Sequence, residues 1–317
     1  MLRISINDFP GITIGQVENV IAGTGCTVFV CREGMRAGVD VRGGGPASRE
    51  TELLNPLASA QEIHGVILSG GSAFGLNAAG GVMRCLEENN IGFDVGVTKV
   101  PLVVQSCLFD LTVADKSIRP DSAMGYEAAR LALEAPNYRD GNYGAGTGAT
   151  VGKFAGMSAR MKSGIGSYAV NLGELKIGAV AAVNALGDVF NWRTGEKLAG
   201  LLTGDTTELM KENYAPVNNK FTGNTTLVVV MTNAYFTKSQ LCKISGMAQD
   251  GLARSIRPIH TSADGDTVYA LSSGTISADI DLVGTLAAEV VSEAITNAVT
   301  SCEGAYGFKS YRDIKGA

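Results

Sequence analysis

Histidine and tryptophan are nearly absent: 317 residues hold two histidines and one tryptophan. Neither His64 nor His260 has a cysteine nearby, which argues against a zinc site. Each reads as a hydrogen-bonded structural residue, and a hydrolase built on this chain would not rely on a histidine base. Six cysteines (Cys26, Cys31, Cys85, Cys107, Cys242, Cys302) are scattered without a C-x-x-C pair. They read as reduced thiols filling apolar sites. Basic runs are missing too. Lys and Arg total 26 against 31 Asp and Glu, a formal charge of −5, so no phosphate-tracking surface and no nucleic-acid partner is expected. No apolar run is read as reaching the ~18 residues of a membrane span. Met1-Leu2-Arg3-Ile4 lacks the apolar region of a signal peptide. The expectation is a soluble cytoplasmic protein that contacts no membrane.

What is abundant is glycine. The 41 glycines are about twice the usual share of roughly 7% and fall in G-G-G and G-x-G clusters, the signature of tight turns and close backbone approaches. Hydrophobic residues make up 45% and charged residues 18%, enough for a sizeable core. No repeat or low-complexity linker divides the chain, so residues 1–317 are read as a single domain.

Apolar runs mark buried strands at Ile63–Ser69, Ile177–Asn184, Thr225–Thr232 and Thr267–Ser272. Helical periodicity covers Ala73–Glu88 (Leu76, Ala79, Val82, Met83, Leu86) and Ala123–Glu134 (Tyr126, Ala129, Leu131, Leu133). Two further stripes are Leu241, Ile244, Ala248, Leu252 and Leu282, Leu286, Val290, Ala294, Ala298. Strands and helices mix throughout, an α/β pattern. The most linker-like stretch, Gly204–Asn224, is polar and ends at the most apolar strand; such a loop is functional or disordered.

Several motifs fail on inspection. Gly144–Lys153 resembles a P-loop, but Thr147 stands where its first glycine belongs and Phe154 follows the lysine. Ala149 breaks the dinucleotide pattern. Gly70-Gly71-Ser72-Ala73-Phe74-Gly75 is not a nucleophile elbow, since Phe74 occupies a glycine position. That loop either lines a substrate pocket or starts a helix with Ser72 as N-cap.

Threonine becomes an effective nucleophile when its own free α-amine serves as base, which requires it to be the first residue of a chain. Gly223-Asn224-Thr225-Thr226 has suitable features: a permissive glycine, then a threonine opening a rigid strand after a long loop. A T-T pair opening a strand is also ordinary β propensity. The wider pattern Gly223-Asn224-Thr225-Thr226-Leu227-Val228-Val229-Val230-Met231-Thr232-Asn233-Ala234 resembles the P1 peptidase family of L-aminopeptidase/D-esterases, β-aminopeptidases and nylon-oligomer hydrolases. Further blocks carry the resemblance: Gly70–Leu76, Phe109-Asp110-Leu111, Arg119-Pro120-Asp121, Gly144–Lys153 and His260-Thr261-x-x-Asp264-Gly265-Asp266-Thr267.

The resemblance implies a four-layer αββα sandwich of the N-terminal-nucleophile hydrolase type. It implies self-cleavage between Asn224 and Thr225 into an α chain (1–224) and a β chain (225–317), and assembly as a homo-oligomer, a tetramer of αβ units. The D-G-D block is closest to the nylon-oligomer branch. Carried over, Thr225 is the nucleophile, Asp264 and Asp266 orient and tune its amine and hydroxyl, Lys153 lowers the amine's pKa, and Asn184 donates to the oxyanion. Gly70, Gly71 and Ser72 would line the substrate pocket. No metal or organic cofactor is implied. The aminopeptidase branch carries serine where Thr225 stands, a departure from it. Taken one by one, D-G-D is also a common turn, Lys153 a surface charge and Asn184 a strand-end cap. The function implied is hydrolysis of short peptides, β-peptides or ω-amino-acid (6-aminohexanoate, nylon) oligomers through an acyl-enzyme. An ornithine acetyltransferase-like acyltransferase using the same threonine is the alternative, and an inert oligomeric scaffold a third reading.

Overall fold

The computed structural model describes residues 1–214 and 223–316. Ten strands build one continuous hydrogen-bonded sheet: β1 (Leu2–Ile4), β2 (Thr13–Asn19), β3 (Thr24–Val41), β4 (Ala47–Arg49), β5 (Ile63–Ser69), β6 (Val103–Cys107), β7 (Ile165–Leu172), β8 (Leu175–Asn184), β9 (Thr225–Ala234) and β10 (Thr267–Ile276). Their order is β1-β7-β8-β9-β10-β3-β5-β6-β4, with β2 also on β3. The long β3 belongs to both ends. Its residues 24–30 pair with β2 and 26–30 also with β5, and its residues 36–41 pair with β10. Between these halves the register with β5 shifts, and Gly34 takes a positive φ of 86°. The sheet thereby folds back on itself. Side chains of both halves meet in one core: Phe29, Val66, Leu68 and Val104 from one, Val180, Val229, Met231 and Leu271 from the other. The Ser106 and Tyr269 hydroxyls bond across it at 2.6 Å.

Four helices cover the outer faces: α1 (Ala78–Glu88) and α2 (Ser122–Glu134) on one, α3 (Lys238–Ser255) and α4 (Ile280–Thr300) on the other. The result is helix, sheet, sheet, helix. The central strands of the middle layers are covered on both faces, which is why β9 reads as an unbroken apolar run rather than an alternation. Its Val228 and Val230 face the α3/α4 core, and Leu227, Val229 and Met231 face the core between the sheets. Caps set the helix starts. Asp121 and Asp279 accept from Met124 and Leu282 N–H, and Thr237 with Gln240 forms a reciprocal capping box.

All four expected strands are present, three of them extended by two to four residues. The helices depart more. Residues 72–77 form a 3₁₀ turn before α1, because Gly75 packs against Gly70, where a Cβ would lie 2.0 Å from the Gly70 carbonyl oxygen. Gly71, not Ser72, is the cap position there, and no side chain caps it. The buried face of α2 is Gly125, Ala128, Ala129 and Ala132 rather than Tyr126, Leu131 and Leu133, since α1 and α2 touch backbone to backbone and leave no room for large side chains. Leu282 is exposed at the open end of α4. Helix α4, although interrupted by Asp281, Glu289 and Glu293, has the length and apolar composition to cross a membrane; 67% of its most apolar 18-residue window is buried within the molecule, where the helix packs against β7, β8 and α3. In the linker-like stretch, Asp205 caps a short helix at Thr206–Glu212, while 215–222 lie outside the described residues.

The α1/α2 contact yields a paired prediction. A Cβ on Gly81 would lie 1.7 Å from the Ser122 carbonyl oxygen, whereas one on neighbouring Gly80 meets nothing within 4 Å. Gly81→Ala should cost about 1–3 kcal/mol by overpacking. Gly80→Ala should be neutral or stabilise by up to about 1 kcal/mol through helix propensity. Thermal and urea unfolding of the two variants will show the split.

Candidate active site

Two strand pairings assemble the site. Antiparallel β8 and β9 place Asn184, the last residue of one, directly opposite Thr225, the first of the other. Parallel β9 and β10 begin their register at Leu227 and Thr267, so the D-G-D loop that leads into β10 must lie beside Thr225. Gly265 donates its main-chain N–H to Thr225 Oγ1 at 3.0 Å. A Cβ at Gly265 would sit 2.7 Å from that oxygen, so only glycine permits the approach. A second run, Gly43 to Gly45, wraps the other side of the loop: Gly43 donates to the Asp266 carbonyl and Gly45 to the Asp264 carbonyl.

Thr225 is 3% exposed and has φ of +142°. For a β-branched residue this is an unfavourable backbone region, costing on the order of 1–3 kcal/mol. Upstream, Gly223 has φ of +61° and its carbonyl accepts from Lys153 Nζ at 2.9 Å. Lys153 is 1% exposed and also donates to the Asn184 carbonyl (3.0 Å) and Asn184 Oδ1 (2.6 Å). Burial, and then the Arg160 guanidinium, pull the Lys153 ammonium well below its usual pKa, with Asp264 and Asp110 opposing.

The two carboxylates are held differently. Asp266 accepts Thr226 N–H at 2.7 Å through Oδ1, and the His260 N–H (3.0 Å) and ring Nδ1 (2.9 Å) through Oδ2. Asp264 accepts the Thr261 N–H at 2.9 Å and the Thr261 hydroxyl through Oδ2. Its Oδ1 is buried without a hydrogen-bond partner among the described residues. Burial, with the Asp266 charge adding to it, pushes Asp264 up to about 6.

Thr225, Asn224, Lys153, Asn184, Asp264 and Asp266 are thus gathered around one strand end. Asn224 donates its side-chain amide to the Ala263 carbonyl at 3.3 Å. Asn184 is arranged differently from the sequence expectation: Nδ2 donates to the Phe109 carbonyl (2.9 Å), and Oδ1 accepts Thr150 N–H (3.0 Å) and Lys153. Gly70, Gly71 and Ser72 stand one step away. Gly71 donates to Asp110 Oδ1 at 2.8 Å, and a Cβ on Gly70 would strike Asp110 Oδ2 at 1.8 Å. Ser72 N–H donates to the Leu108 carbonyl. The neighbouring Phe109 contacts both Asn184 and Gly223.

Sequence reasoning passed over Gly265, His260, Phe109 and the Gly43–Gly45 run as site residues. The repeated glycines and the placement of Phe109 and His260 inside quoted blocks were the available signals. Among the described residues no group of three or more His, Cys, Asp or Glu is arranged to hold a metal ion.

Asp110 allows a pH test. It accepts the Thr24 hydroxyl (2.6 Å) and Gly71 N–H, yet burial pushes it from 3.8 to about 6. The folded state therefore holds this proton more tightly than the unfolded one. The stability that proton gives is complete below about pH 4 and lost as pH rises through about 6. Asp110→Asn lacks this titration. Its stability relative to the native chain should rise by up to about 3 kcal/mol from about pH 4 to about pH 7.5, read by urea unfolding; a slope of opposite sign would contradict the burial argument.

The chain matches the model of peptidase family S58 over residues 5–312. An uncharacterized aminopeptidase of Mycobacterium leprae is 36% identical, covering 97% of this chain and 93% of that protein. A 6-aminohexanoate-oligomer endohydrolase of Agromyces sp. is 29% identical, covering 94% of this chain and 86% of the relative. The fold matches the L-aminopeptidase D-Ala-esterase/amidase structure from Ochrobactrum anthropi, described as a new variant among the Ntn hydrolase fold, with TM-score 0.68 and 17% identity over 98% of this chain and 92% of that one.

Proposed function

This chain belongs to peptidase family S58 and is a hydrolase of peptide or amide bonds, and from that premise we propose that it cleaves itself between Asn224 and Thr225 and then works through Thr225. The observation that carries this reading is the Gly265 N–H on Oγ1 of a β-branched residue at φ +142°, the first residue of β9. A main-chain donor on Oγ1 stabilises negative charge as it develops there.

In the first reaction Thr225 Oγ1 attacks the Asn224 carbonyl carbon. The new C–O bond forms, the C–N bond breaks, and the hydroxyl proton passes to the departing nitrogen, leaving an ester. Water opens the ester, releasing the Asn224 carboxylate and a free Thr225 amine. In turnover this amine, titrating near 7.7–8.0 in an unperturbed chain, takes the hydroxyl proton and delivers it to the leaving amine of the substrate. Water then hydrolyses the acyl-enzyme. Asp264 Oδ1, buried and without a donor among the described residues, would accept from the new amine and orient it. Asp266 fixes the Thr226 N–H and so the start of the strand. Lys153 and Asn184 steady the segment on the acyl side. The substrates proposed are short peptides and ω-amino-acid oligomers, the latter by analogy with the Agromyces relative.

Intact mass of the purified protein should give two chains, 1–224 and 225–317. Thr225→Ala should remain one chain and lose amide hydrolysis by about 10⁴-fold or more, while Thr225→Ser, which keeps the hydroxyl, should still process. Undiminished hydrolysis by Thr225→Ala would end this reading.

A further inference from the structure

The unprocessed chain carries its own image of an acyl donor. Upstream of Thr225, three contacts fix the path of the backbone. The Gly223 α-carbon lies on the Phe109 ring so closely that a Cβ would fall 2.1 Å from Cδ1 and 2.2 Å from Cγ. The Gly223 carbonyl accepts from Lys153 Nζ at 2.9 Å. Asn224, 2% exposed, is held to the Ala263 carbonyl. A flat ring cannot move aside as a flexible side chain would, so the Phe109 contact selects for a carbon without a branch.

Self-cleavage and turnover use the same nucleophilic oxygen. The carbon attacked must come within bonding reach of that oxygen in both, set further from the Thr225 nitrogen in turnover because that nitrogen is then a free amine, and the acyl part of a substrate would approach along the path that Gly223 and Asn224 trace. Once those residues withdraw, Lys153, buried and with two acceptors left on Asn184, lacks its third. A buried charged donor without its acceptor is costly, and a substrate carbonyl restores it.

Resting on the assignment of Thr225 as nucleophile, we propose that Phe109 and Lys153 form the acyl-side subsite. Its ligand class is an amide whose acyl part has an unbranched CH2 against Phe109 and an interior amide carbonyl toward Lys153. N-acylglycyl peptides fit it. A substrate with a free α-amine beside the scissile carbonyl offers neither group, so the site prefers bonds inside a chain to those at its amino end.

The test uses processed enzyme and three p-nitroanilides: N-acetyl-Gly-Ala, N-acetyl-Ala-Ala and unblocked Ala. The kcat/KM for the glycyl compound should exceed each of the others by about tenfold or more, the scale of one well-placed methylene group. Phe109→Ala should narrow the Gly/Ala ratio to about threefold or less; Phe109→Leu serves if the alanine variant does not fold. Fastest cleavage of unblocked Ala, no cleavage of the glycyl compound, or a ratio unchanged by either Phe109 substitution would overturn the subsite. Thr225→Ala separates the two claims: if it still cleaves, the nucleophile is wrong, and if it is inert while the ranking is inverted, only the subsite falls.

Discussion

A buried ammonium must be given acceptors or be left out of the fold. The Lys153 ammonium draws its three from two places: the end of β8, through both oxygens of Asn184, and the segment ahead of Thr225, through Gly223. The loop that carries Lys153 is itself tied to the stretch after β8, with Lys153 N–H on the Leu186 carbonyl and Gly152 N–H on that of Gly187. One side chain thus binds together the lysine loop, the asparagine strand and the acyl side of the Asn224–Thr225 bond. Asn184 extends the tie to Phe109. Much of the geometry around Thr225 serves to satisfy one buried amino group.

The glycines do the complementary work. Where Lys153 pulls segments together, glycine lets them touch. Gly265 brings an N–H to Thr225 Oγ1, the Gly43–Gly45 run lies against the carboxylate loop, and Gly223 lies on Phe109. At Gly43 a Cβ would meet the Asp266 nitrogen at 2.3 Å, so the loop carrying both aspartates could not sit where it does beside a larger residue. The glycine excess is therefore concentrated in part around the site, where main chain rather than side chains makes the contacts.

This division explains what could be read from the chain alone. Apolar runs such as 63–69 and 225–232 mark strands because both faces of the folded sheet are covered, and the α3 stripe of Leu241, Ile244, Ala248 and Leu252 is buried as its spacing requires. On α2 the periodicity finds the buried Ala129, but hydrophobicity also favours Leu131 and Leu133, whereas the governing constraint is the close approach of Gly125 to Ala78, which no single-helix periodicity contains. At the site, Thr225, Asp264, Asp266, Lys153 and Asn184 were reached through the resemblance; spacing alone could not bring residues 153, 184, 225 and 264 together. Gly265 contributes a main-chain N–H, and Phe109 a ring under a glycine. Neither leaves a side-chain pattern that marks chemistry. His260 reads as a structural, hydrogen-bonded residue, and its partner is the buried Asp266.

Two features at the start of β9 bear on the proposed cleavage of the 224–225 bond. Thr225 sits at a φ that a β-branched residue disfavours, worth on the order of 1–3 kcal/mol. Asp264 Oδ1 is buried without a donor among the described residues, a cost of roughly 1–3 kcal/mol for a polar atom and more for a charged one. Proposed cleavage acts on both. It would free Thr225 from the torsion imposed by the preceding carbonyl, and it would create an amine with protons to give on the residue whose Oγ1 accepts from Gly265, the neighbour of Asp264 in the chain. In the proposed reaction the strained residue would itself supply the nucleophile and base of the cleaved form. On this view the strand that positions Thr225 need not rearrange: β9 stays paired to β8 and β10 throughout, and only the upstream segment, held by Lys153 and resting on Phe109, must leave.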